Sequence, residues 1–349
     1  MVHVGDACVD RRQAMTRGME SPMVAPAISV LMVNYNSDTK AGEALEALAA
    51  QTFRDFEALI IDNASTDQSI ALARSVVAND TRFRFRLLDK NLGFALGNNL
   101  LAATARGTWL AFLNPDAVPA RNWLEHLVEA TQRHPATVMF GSTQLDAADL
   151  RRLDGAGDHY LAIGFPWRGG FGWPLTALPA EGEVFSPCAA ASLIRADAFR
   201  EVDGFDERFF CYVEDVDLAF RLRLKGHYCI QVPAAVVRHV GGASSATEGS
   251  GFARRHGARN IIWCFVKCMP SVLFWTLLPF HILALVFLIF RAALIGAAYP
   301  VVTAIVEGVA GLPATWSARQ AVQGGRRASL WRIAAALTWN PVSYLRRAP

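Results

Sequence analysis

The sequence has few cysteines and no motif that would organise them. Its six cysteines include no Cys-x-x-Cys pair, and Cys264 and Cys268 stand four residues apart on a predicted helix. This spacing favours buried free thiols in a reducing cytosol over a disulfide framework or a metal site. The N-terminus also lacks the apolar central run of a signal peptide, so we expect a disordered extension over residues 1–26.

Acidic residues are almost absent from the C-terminal third. From Gly249 to the end of the chain there is one acid, Glu307, against eleven Lys and Arg residues. The chain is 52% hydrophobic and its net charge is only +3, so the distribution of charge distinguishes it rather than the total. A basic, apolar region fits an anionic membrane surface better than nucleic acid, and we expect no nucleic-acid partner.

Two apolar runs follow one another in this basic region. Ser271 to Phe290 contains no titratable side chain except His281, and as a helix it would span roughly 30 Å, the thickness of a bilayer core. Pro279 and His281 interrupt this run, and Ala292 to Val306 is the second. The pattern fits a membrane hairpin, a re-entrant pair or two helices in the membrane interface; a buried helix pair of a soluble protein is the alternative.

Buried strands alternate with helices in the N-terminal half. Four apolar runs have the length of buried strands: Ile28–Val33, Phe56–Ile61, Phe85–Leu88 and Trp109–Leu113. The segments between them predict helices, the third of which starts near Gly97. This alternation predicts an α/β fold with a doubly wound, mostly parallel sheet. Further on we expect a flexible loop over Gly164–Pro174, a strand over Phe185–Ile194 and a helix from Val216.

Polar clusters follow three of the predicted strands: Asn34–Asn36, Asp62–Asp67 and Asn114–Asp116. Any one of them alone is ordinary turn chemistry. In doubly wound sheets, however, ligands bind beyond the carboxyl ends of the strands, and all three clusters lie at such ends. A carboxylate at such a position can hold a divalent cation that neutralises a diphosphate. The three clusters together therefore predict a ligand site.

Residues 206–217 combine acids with aromatic and aliphatic side chains. Half of these twelve side chains are Asp, Glu or Arg. Carboxylates among apolar residues are costly to bury unless they are paired, metal-bound or catalytic. The segment therefore suggests an enzyme.

These motifs, in this order, resemble the family 2 glycosyltransferases of the glycosyltransferase-A fold. The resemblance covers roughly residues 27–265 and rests on six segments: Val33–Asn36, Ile61–Asp67, Asn91–Asn99, Leu113–Asp116, Gly204–Glu207 and Glu214–Leu218. The forms of Asn91–Asn99 and Asn114–Asp116 are similar to those of the rhamnosyltransferase-like branch. We therefore expect a catalytic domain over 27–265, followed by a membrane-associated helical region with a basic tail over 266–349.

The resemblance implies a donor-binding set and a metal site. A nucleoside-diphosphate sugar, dTDP- or UDP-linked, would contact Asn34, Asn36, Asp62, Asn98, Asn114 and Asp116. Asn114 and Asp116 stand where the family has an Asp-x-Asp motif. Because Asn replaces the first Asp, Asp116 would be the main ligand of Mg or Mn, and His239 matches a position that can supply another.

The resemblance also implies an acceptor side. Asp215 matches the base that takes the proton of the acceptor hydroxyl, and adjacent Glu214 would contact the acceptor. Neighbouring carboxylates raise one another's pKa, which suits a base. We expect Asp217 to act as a helix-start charge, and Asp206 and Glu207 to shape a loop.

Three arginines precede the first long apolar run: Arg254, Arg255 and Arg259. They could grip an acceptor diphosphate or lipid headgroups. They could equally be the basic flank of a membrane helix, and the sequence leaves both open.

The sequence as a whole predicts an inverting, metal-dependent glycosyltransferase at the cytoplasmic face of the cell membrane. The best guess for the sugar is rhamnose or a related deoxyhexose, and for the acceptor a polyprenyl-diphosphate-linked or cell-surface glycan. A sugar nucleotidyltransferase is one alternative, but it would need a Gly-rich basic loop where the chain has Asn34–Ser37. A non-catalytic membrane scaffold is another, but it predicts loss of Asp116 or Asp215, and both are present.

Overall fold

The computed structural model describes residues 25–241 and 250–348. The predicted extension over 1–26 therefore lies almost wholly outside the described residues. The cysteines within the described ranges are free thiols, and four of the five are buried, as expected.

A ten-stranded mixed sheet forms the centre of the described chain. Its strands are β1 (Ile28–Asn34), β2 (Phe56–Asp62), β3 (Phe83–Leu87), β4 (Trp109–Leu113), β5 (Ala117–Pro119), β6 (Met139–Asp146), β7 (Leu153–Ala156), β10 (Gly182–Val184), β11 (Ala191–Arg195) and β12 (Cys229–His239). The order is β10-β12-β6-β11-β4-β1-β2-β3, with β5 on β12 and β7 on β6. A separate hairpin pairs β8 (Asp158–Leu161) with β9 (Phe165–Arg168).

Six of the described strands in the sheet run in one direction. β4, β1, β2 and β3 are mutually parallel, and β6 and β12 are parallel to each other. β11 lies antiparallel between β4 and β6, so the two groups point the same way. This confirms the predicted doubly wound, mostly parallel sheet.

Helices cover both faces of the sheet: α1 (Lys40–Ala49), α2 (Ser69–Val76), α3 (Gly93–Ala102), α4 (Trp123–Arg133), α5 (Ala196–Glu201) and α6 (Glu214–Lys225). Two apolar clusters result. In β1, Val30 and Met32 belong to one cluster and Leu31 and Val33 to the other, because successive side chains of a strand point to opposite faces. Burial of both faces explains why these strands read as continuous apolar runs.

Two expected elements differ from the structure. The strand predicted over Phe185–Ile194 begins only at Ala191. The backbone before it bonds to side chains of α6 instead of a strand: Phe185 accepts from Arg223 at 2.6 Å, and Ala189 donates to Asp215 at 3.0 Å. The loop predicted over Gly164–Pro174 contains β9, whose strand pairing the local sequence did not reveal.

Six helices follow residue 249: α7 (Ser250–Cys268), α8 (Ser271–Leu294), α9 (Ala298–Ala310), α10 (Leu312–Gly324), α11 (Leu330–Ala336) and α12 (Pro341–Arg346). Pro279 lies inside α8 without ending it, so the expected interruption is wrong. Within the described ranges, α8 alone is long and apolar enough to cross a membrane, and α9 and α10 qualify only as a pair bent by 58°.

Candidate active site

A cavity of about 580 Å³ opens at the carboxyl ends of β1, β2 and β4. Its size is within the range of small-molecule sites. The hairpin of β8 and β9, the start of α6 and one face of α7 complete its walls. On α7 the lining includes Gly257, where an added Cβ would meet no atom within 4 Å. The cavity thus lies where the strand-end clusters predicted a ligand.

Asp62 and Asn34 form one buried unit at the ends of β2 and β1. The Asn34 amide donates to the Asp62 carboxylate at 2.9 Å and to the Ser69 hydroxyl at 2.9 Å, and its oxygen accepts from Ser37 at 2.5 Å. Asn34 is fully buried. Its role in this geometry is to fix the orientation of Asp62.

The other two residues of the predicted nucleotide side also make internal contacts. Asn36 accepts from the Thr66 backbone at 2.8 Å, which joins the loops after β1 and β2. Asn98 is 1% exposed and donates to Phe94 within its own helix at 3.0 Å. Among the described residues that line the cavity, neither is included. Asn34 and Asp62 are likewise not among the described lining residues, so the contact of these four residues with the donor stays a prediction.

Asn63 and Asn91 also line the cavity, although their sequence context does not single them out. Asn63 donates to the Asn91 side chain at 2.7 Å and accepts from the Leu92 backbone at 2.8 Å, which holds the start of α3 against the end of β2. At Gly93 the φ angle is +79°, and an added Cβ would lie 2.7 Å from the Phe210 carbonyl oxygen. Glycine is therefore required where the start of α3 meets the turn at Phe210.

Asp116 and His239 face each other across the cavity floor. The Asp116 carboxylate lies 3.4 Å from His239 Nε2, and both residues line the cavity. On its other side, His239 Nδ1 lies 2.7 Å from the Asp154 carboxylate, which also contacts Arg168. Burial opposes the charged form of His239, but the two carboxylates outweigh it and raise its pKa to about 9.

The donor atoms at this position fit a divalent cation. His239 Nε2 has no hydrogen-bond partner within the described ranges, and neither has the buried Asn114 side-chain oxygen nearby in the lining. A carboxylate that holds the far nitrogen of a histidine is the usual support of a metal-bound imidazole. The structure therefore brings together the predicted ligands Asp116 and His239 and adds Asp154 behind them.

Two other groups bring three metal-binding atoms within 4.8 Å of one another in the described chain. Asp217, Cys264 and Cys268 are fully buried beside Lys267, which already neutralises Asp217 at 2.7 Å. Asp158, Cys188 and Asp215 lie in the cavity wall, where the Arg168 guanidinium supplies positive charge. A cation therefore fits less well in either group than between Asp116 and His239.

Glu214 and Asp215 begin α6 at the cavity wall. Burial, and then the charge of Asp215, raise the pKa of Glu214 well above its ordinary value. Burial also raises the pKa of Asp215, although backbone N–H groups of Ala189 and Val216 oppose it. One Glu214 oxygen is buried without a hydrogen-bond partner in the described structure. A carboxyl pair with raised pKa values, facing a cavity, can hold or accept a proton near neutral pH.

The turn before Glu214 is strained. Phe210, Tyr212 and Val213 have φ angles of 64°, 68° and 68°, a region that costs residues other than glycine of order 1 kcal/mol or more each. Asn260, fully buried on α7, donates its amide to the carbonyls of Phe209 at 2.9 Å and Tyr212 at 2.8 Å. These hydrogen bonds hold the turn in its strained conformation and so fix the start of α6.

Asp158 and Arg168 complete the acid side of the cavity, and the sequence analysis missed both. Burial, and then the charge of Asp215, raise the pKa of Asp158 to about 8. The signal available was the run Asp154-Gly-Ala-Gly-Asp158, in which two acids flank small residues. Asp154 at one end contacts His239, and Asp158 at the other faces Asp215.

Asp206 and Asp217 lie outside the cavity lining in a buried ion-pair network. Asp206 caps the turn at Glu207 and pairs with Arg208 and Lys267, in agreement with the expected loop-shaping role. Asp217 is completely buried and pairs with Arg221 at 2.8 Å and Lys267 at 2.7 Å. Its charge is therefore neutralised by side chains, and the expected helix-start role is incomplete.

The three predicted acceptor or lipid arginines lie on α7. Arg255 forms an ion pair with Glu307 on α9. Arg259 donates to the Phe209 carbonyl at 3.0 Å and stacks on Trp263. For all three, contact with an acceptor or with lipid headgroups stays a prediction.

Known proteins resemble this chain in both sequence and fold. A rhamnosyltransferase of Mycobacterium tuberculosis, "N-acetylglucosaminyl-diphospho-decaprenol L-rhamnosyltransferase", is 27% identical over 259 residues, which cover 68% of this chain and 83% of that protein. The O-antigen biosynthesis protein RfbC of Myxococcus xanthus is 28% identical over 218 residues, or 58% of this chain and 16% of that protein.

Among solved structures, the mannosyltransferase PcManGT of Pyrobaculum calidifontis, in complex with GDP-Man and Mn²⁺, superposes with a TM-score of 0.52 at 17% identity. The match covers 90% of this chain and 88% of that one, and it shows the glycosyltransferase-A fold. The sequence pattern described as Glycosyl transferase family 2 matches residues 29–203. This match covers half of the chain and includes the strand ends that form the cavity, and the protein therefore belongs to glycosyltransferase family 2.

Proposed function

We propose that this glycosyltransferase is an inverting, metal-dependent enzyme that transfers rhamnose or a related deoxyhexose to a polyprenyl-diphosphate-linked glycan at a membrane. The observation that carries the proposal is that one cavity contains both the Asp116–His239 pair and the Glu214–Asp215 pair. The sequence similarity to an enzyme named for a diphospho-decaprenol-linked sugar supports this choice of sugar and acceptor.

Asp116 and His239 would hold Mg or Mn together with the donor phosphates, and the cation would stabilise the departing nucleoside diphosphate as a Lewis acid. Asp154 fixes the His239 ring through Nδ1. Because that bond leaves Nε2 directed toward Asp116, the pair is preorganised before any ligand arrives. The dTDP- or UDP-linked donor would lie along the ends of β1 and β2, where Asp62 is held by Asn34.

In the same cavity, Asp215 would take the proton of the acceptor hydroxyl as that oxygen attacks the anomeric carbon. Its two oxygens already accept from the backbone of Ala189 at 3.0 Å and Val216 at 2.8 Å, so its orientation is fixed. Glu214, whose raised pKa favours the protonated form, would donate a hydrogen bond to the acceptor. Direct displacement with one such base inverts the configuration at the anomeric carbon.

The experiment incubates the full chain in detergent with a panel of nucleotide sugars, a short-chain polyprenyl-diphosphate-linked sugar acceptor, and Mg²⁺ or Mn²⁺. Release of the nucleoside diphosphate is expected for at least one deoxyhexose donor, and it should require both the acceptor and the cation. No turnover with any donor would refute the proposed function. A nucleotidyltransferase would instead release pyrophosphate from a nucleoside triphosphate and a sugar phosphate.

The base is tested by Asp215→Asn. Removal of a general base typically costs 10²–10⁴-fold, so transfer should fall by at least about 100-fold, while donor binding, measured by calorimetry, stays within about twofold of wild type. Asp89→Asn, at an exposed position outside the cavity lining, is the matched control and should change neither quantity. Loss of donor binding in Asp215→Asn would mean that the role assigned to Asp215 is wrong.

A further inference from the structure

Helix α8 is apolar all round, but protein covers only one of its sides. Phe274, Leu277, His281 and Ala292 are buried, at the spacing of a single helix face. On the opposite side, large apolar side chains are more than half exposed, including Val272, Trp275, Leu283, Val286, Phe290 and Leu294. Monomeric soluble proteins rarely expose an apolar face of this length.

Helix α9 extends this exposed surface. Tyr299, Val302, Val306 and Val309 are all exposed, and their spacing of three and four residues places them on one side of the helix. α9 contacts α8 and packs on α7, where Trp263 donates to the Gly308 carbonyl at 3.0 Å. The exposed sides of α8 and α9 are called here the apolar face. Both helices pack on the predicted catalytic domain over residues 27–265, called here the catalytic body.

The covered side of α8 contacts the catalytic body over most of the helix. Near its start, Phe274 packs on Phe265 with ring centroids 5.6 Å apart. At its middle, His281 stacks on Phe265 at 4.1 Å, and its Nδ1 lies 2.7 Å from the carbonyl oxygen of Ile163. Toward its end, Leu285 and Leu288 join the cluster of Leu161, Phe165 and Trp167 on the hairpin of β8 and β9.

These contacts determine how α8 can meet a bilayer. If α8 crossed the membrane, the attached hairpin would enter the hydrocarbon core with Arg168 and Asp158. Charged groups and irregular backbone are strongly unfavourable there unless protein or water surrounds them. The observed packing therefore weighs against a membrane-crossing α8. An orientation in the plane of the membrane leaves the catalytic body in water and the apolar face in lipid.

We propose that the apolar face of α8 and α9 is a monotopic surface that lies in one leaflet of an anionic bilayer and spans nothing. This inference rests on the proposed function, because an enzyme with a polyprenyl-linked acceptor needs a surface that binds the membrane. Charge supports the choice of lipid: from residue 250 onward the one acid, Glu307, is paired with Arg255. Arg291 is exposed where α8 ends, and basic residues beside an apolar helix face bind anionic headgroups.

The same geometry explains how a lipid-linked acceptor would reach the cavity. Pro166, Trp167 and Arg168 line the cavity, while Leu161, Phe165 and Trp167 of the same hairpin pack against α8. The hairpin and the thickness of α8, about 10–12 Å for a helix with its side chains, therefore separate the cavity from the apolar face. An acceptor whose polyprenyl chain stays in the leaflet could present its diphosphate-linked sugar to Asp215 without leaving the membrane.

Vesicle binding tests the surface. The double variant Leu283→Glu/Phe287→Glu changes two exposed residues of the apolar face. In flotation assays with phosphatidylglycerol-containing vesicles, its bound fraction should fall by at least about tenfold, because two large apolar side chains no longer enter lipid. Leu72→Glu/Val76→Glu, a matched pair of exposed positions on α2, should bind like wild type. Wild-type binding should also weaken on vesicles of phosphatidylcholine alone.

Transfer to a water-soluble acceptor analogue separates this proposal from the proposed function. Both double variants should retain it within about twofold, together with the wild-type melting temperature. Unchanged vesicle binding by Leu283→Glu/Phe287→Glu would overturn the surface proposal. Loss of transfer by the wild-type chain to every acceptor would count against the proposed function instead.

The in-plane orientation is tested by Ile295→Cys, which lies where α8 ends, and by Val76→Cys on the catalytic body. Membrane vesicles of both orientations are treated with a membrane-impermeant maleimide, with the parent chain as background. Labelling of both cysteines from the same side, or protection of Ile295→Cys by lipid on both sides, supports the proposal. Labelling of Ile295→Cys from the side opposite Val76→Cys overturns it.

Discussion

The buried carboxyl of Asp158 connects the acid side of the cavity to the stability of the protein. Its pKa is raised to about 8 by burial and by the charge of Asp215, against an ordinary value of 3.8. A raised pKa in the folded state means that the contribution to stability is fully present below pH 3.8 and is lost as pH rises through about 8. The folded protein therefore carries an unfavourable charge here at alkaline pH.

Asp158→Asn should remove this loss. Relative to wild type, the free energy of unfolding of the variant should increase between pH 5 and pH 8.5, since the amide does not ionise. Denaturant titrations of the full chain at the two pH values measure it, with the exposed Asp89→Asn as control. An identical pH dependence in wild type and Asp158→Asn would show that Asp158 is not protonated in the folded protein at neutral pH.

Sequence reasoning found residues whose neighbours mark a strand or helix end, and missed those defined by long-range pairing. Asp116, His239, Glu214 and Asp215 were expected in the site and do line the cavity. Asp154, in contrast, acts through His239, which is 85 residues away in the chain. A segment of small residues with no periodicity gives no indication of such a partner, because the pairing depends on how β7 and β12 flank β6.

At the scale of elements, the strained turn of residues 210–213 depends on α7. The Asn260 amide donates to two of its carbonyls, those of Cys211 and Tyr212, and to that of Phe209 just before it. Because α7 also contributes to the cavity wall and packs on α9, it joins the turn before Glu214 to the C-terminal helices.

Asn260→Ala should lower the free energy of unfolding by about 1–3 kcal/mol, the cost of leaving buried carbonyls unpaired. It should also reduce kcat while the KM for the donor stays near wild type, because the turn positions α6 rather than the donor. Gln323→Ala is the matched control: it removes amide bonds to two carbonyls of α7, Lys267 and Cys268, away from the turn. A loss of stability without a change in kcat would assign Asn260 a purely structural role.

The N-terminal strands were predicted well because burial on both faces produces uninterrupted apolar runs. The sequence predicts the start of α3 near Gly97, but the helix begins at Gly93. Glycine is a poor helix former, so a glycine at the first helical position gives no sequence signal for a helix start. Pro279 was expected to break α8, yet the helix continues through it. A proline removes one helical hydrogen bond, and on an exposed side of a long apolar helix that loss does not end the helix.

For the whole molecule, Lys267 is the charge that joins the catalytic body to the C-terminal helices. It is 2% exposed and lies between the carboxylates of Asp206 and Asp217. The predicted catalytic domain over 27–265 ends inside α7, just before this residue. A chain cut there would leave both carboxylates without their shared cation.

Lys267→Met should therefore lower the free energy of unfolding by about 1–3 kcal/mol, because Asp206 and Asp217 both lose a buried, charged hydrogen-bond donor and keep only Arg208 and Arg221. Thermal and denaturant unfolding of the full chain measure the change. Lys90→Met, at an exposed surface position, should have little effect. A loss below about 1 kcal/mol would mean that the network is neutralised in another way.

Family and fold could be predicted from the order of short motifs, since each motif marks a strand end that the fold brings to one edge. The arrangement of the apolar helices could not. Hydropathy measures how apolar α8 is, but not that His281 and Phe274 attach it to the catalytic body. A membrane-spanning helix and a helix that packs on a protein body can have the same length and hydropathy, and tertiary contacts distinguish them.

Gly257 shows a trade-off between stability and the size of the substrate. It lies in the middle of α7, where glycine costs about 1 kcal/mol relative to alanine, yet an added Cβ would meet nothing within 4 Å because the position faces the cavity. Gly257→Ala should thus raise the melting temperature. Gly257→Leu should also fold, but its side chain would enter the cavity and raise the KM of the larger acceptors. Selection for heat resistance alone would therefore replace Gly257 by a larger residue, and the enzyme would then no longer accept bulky acceptors.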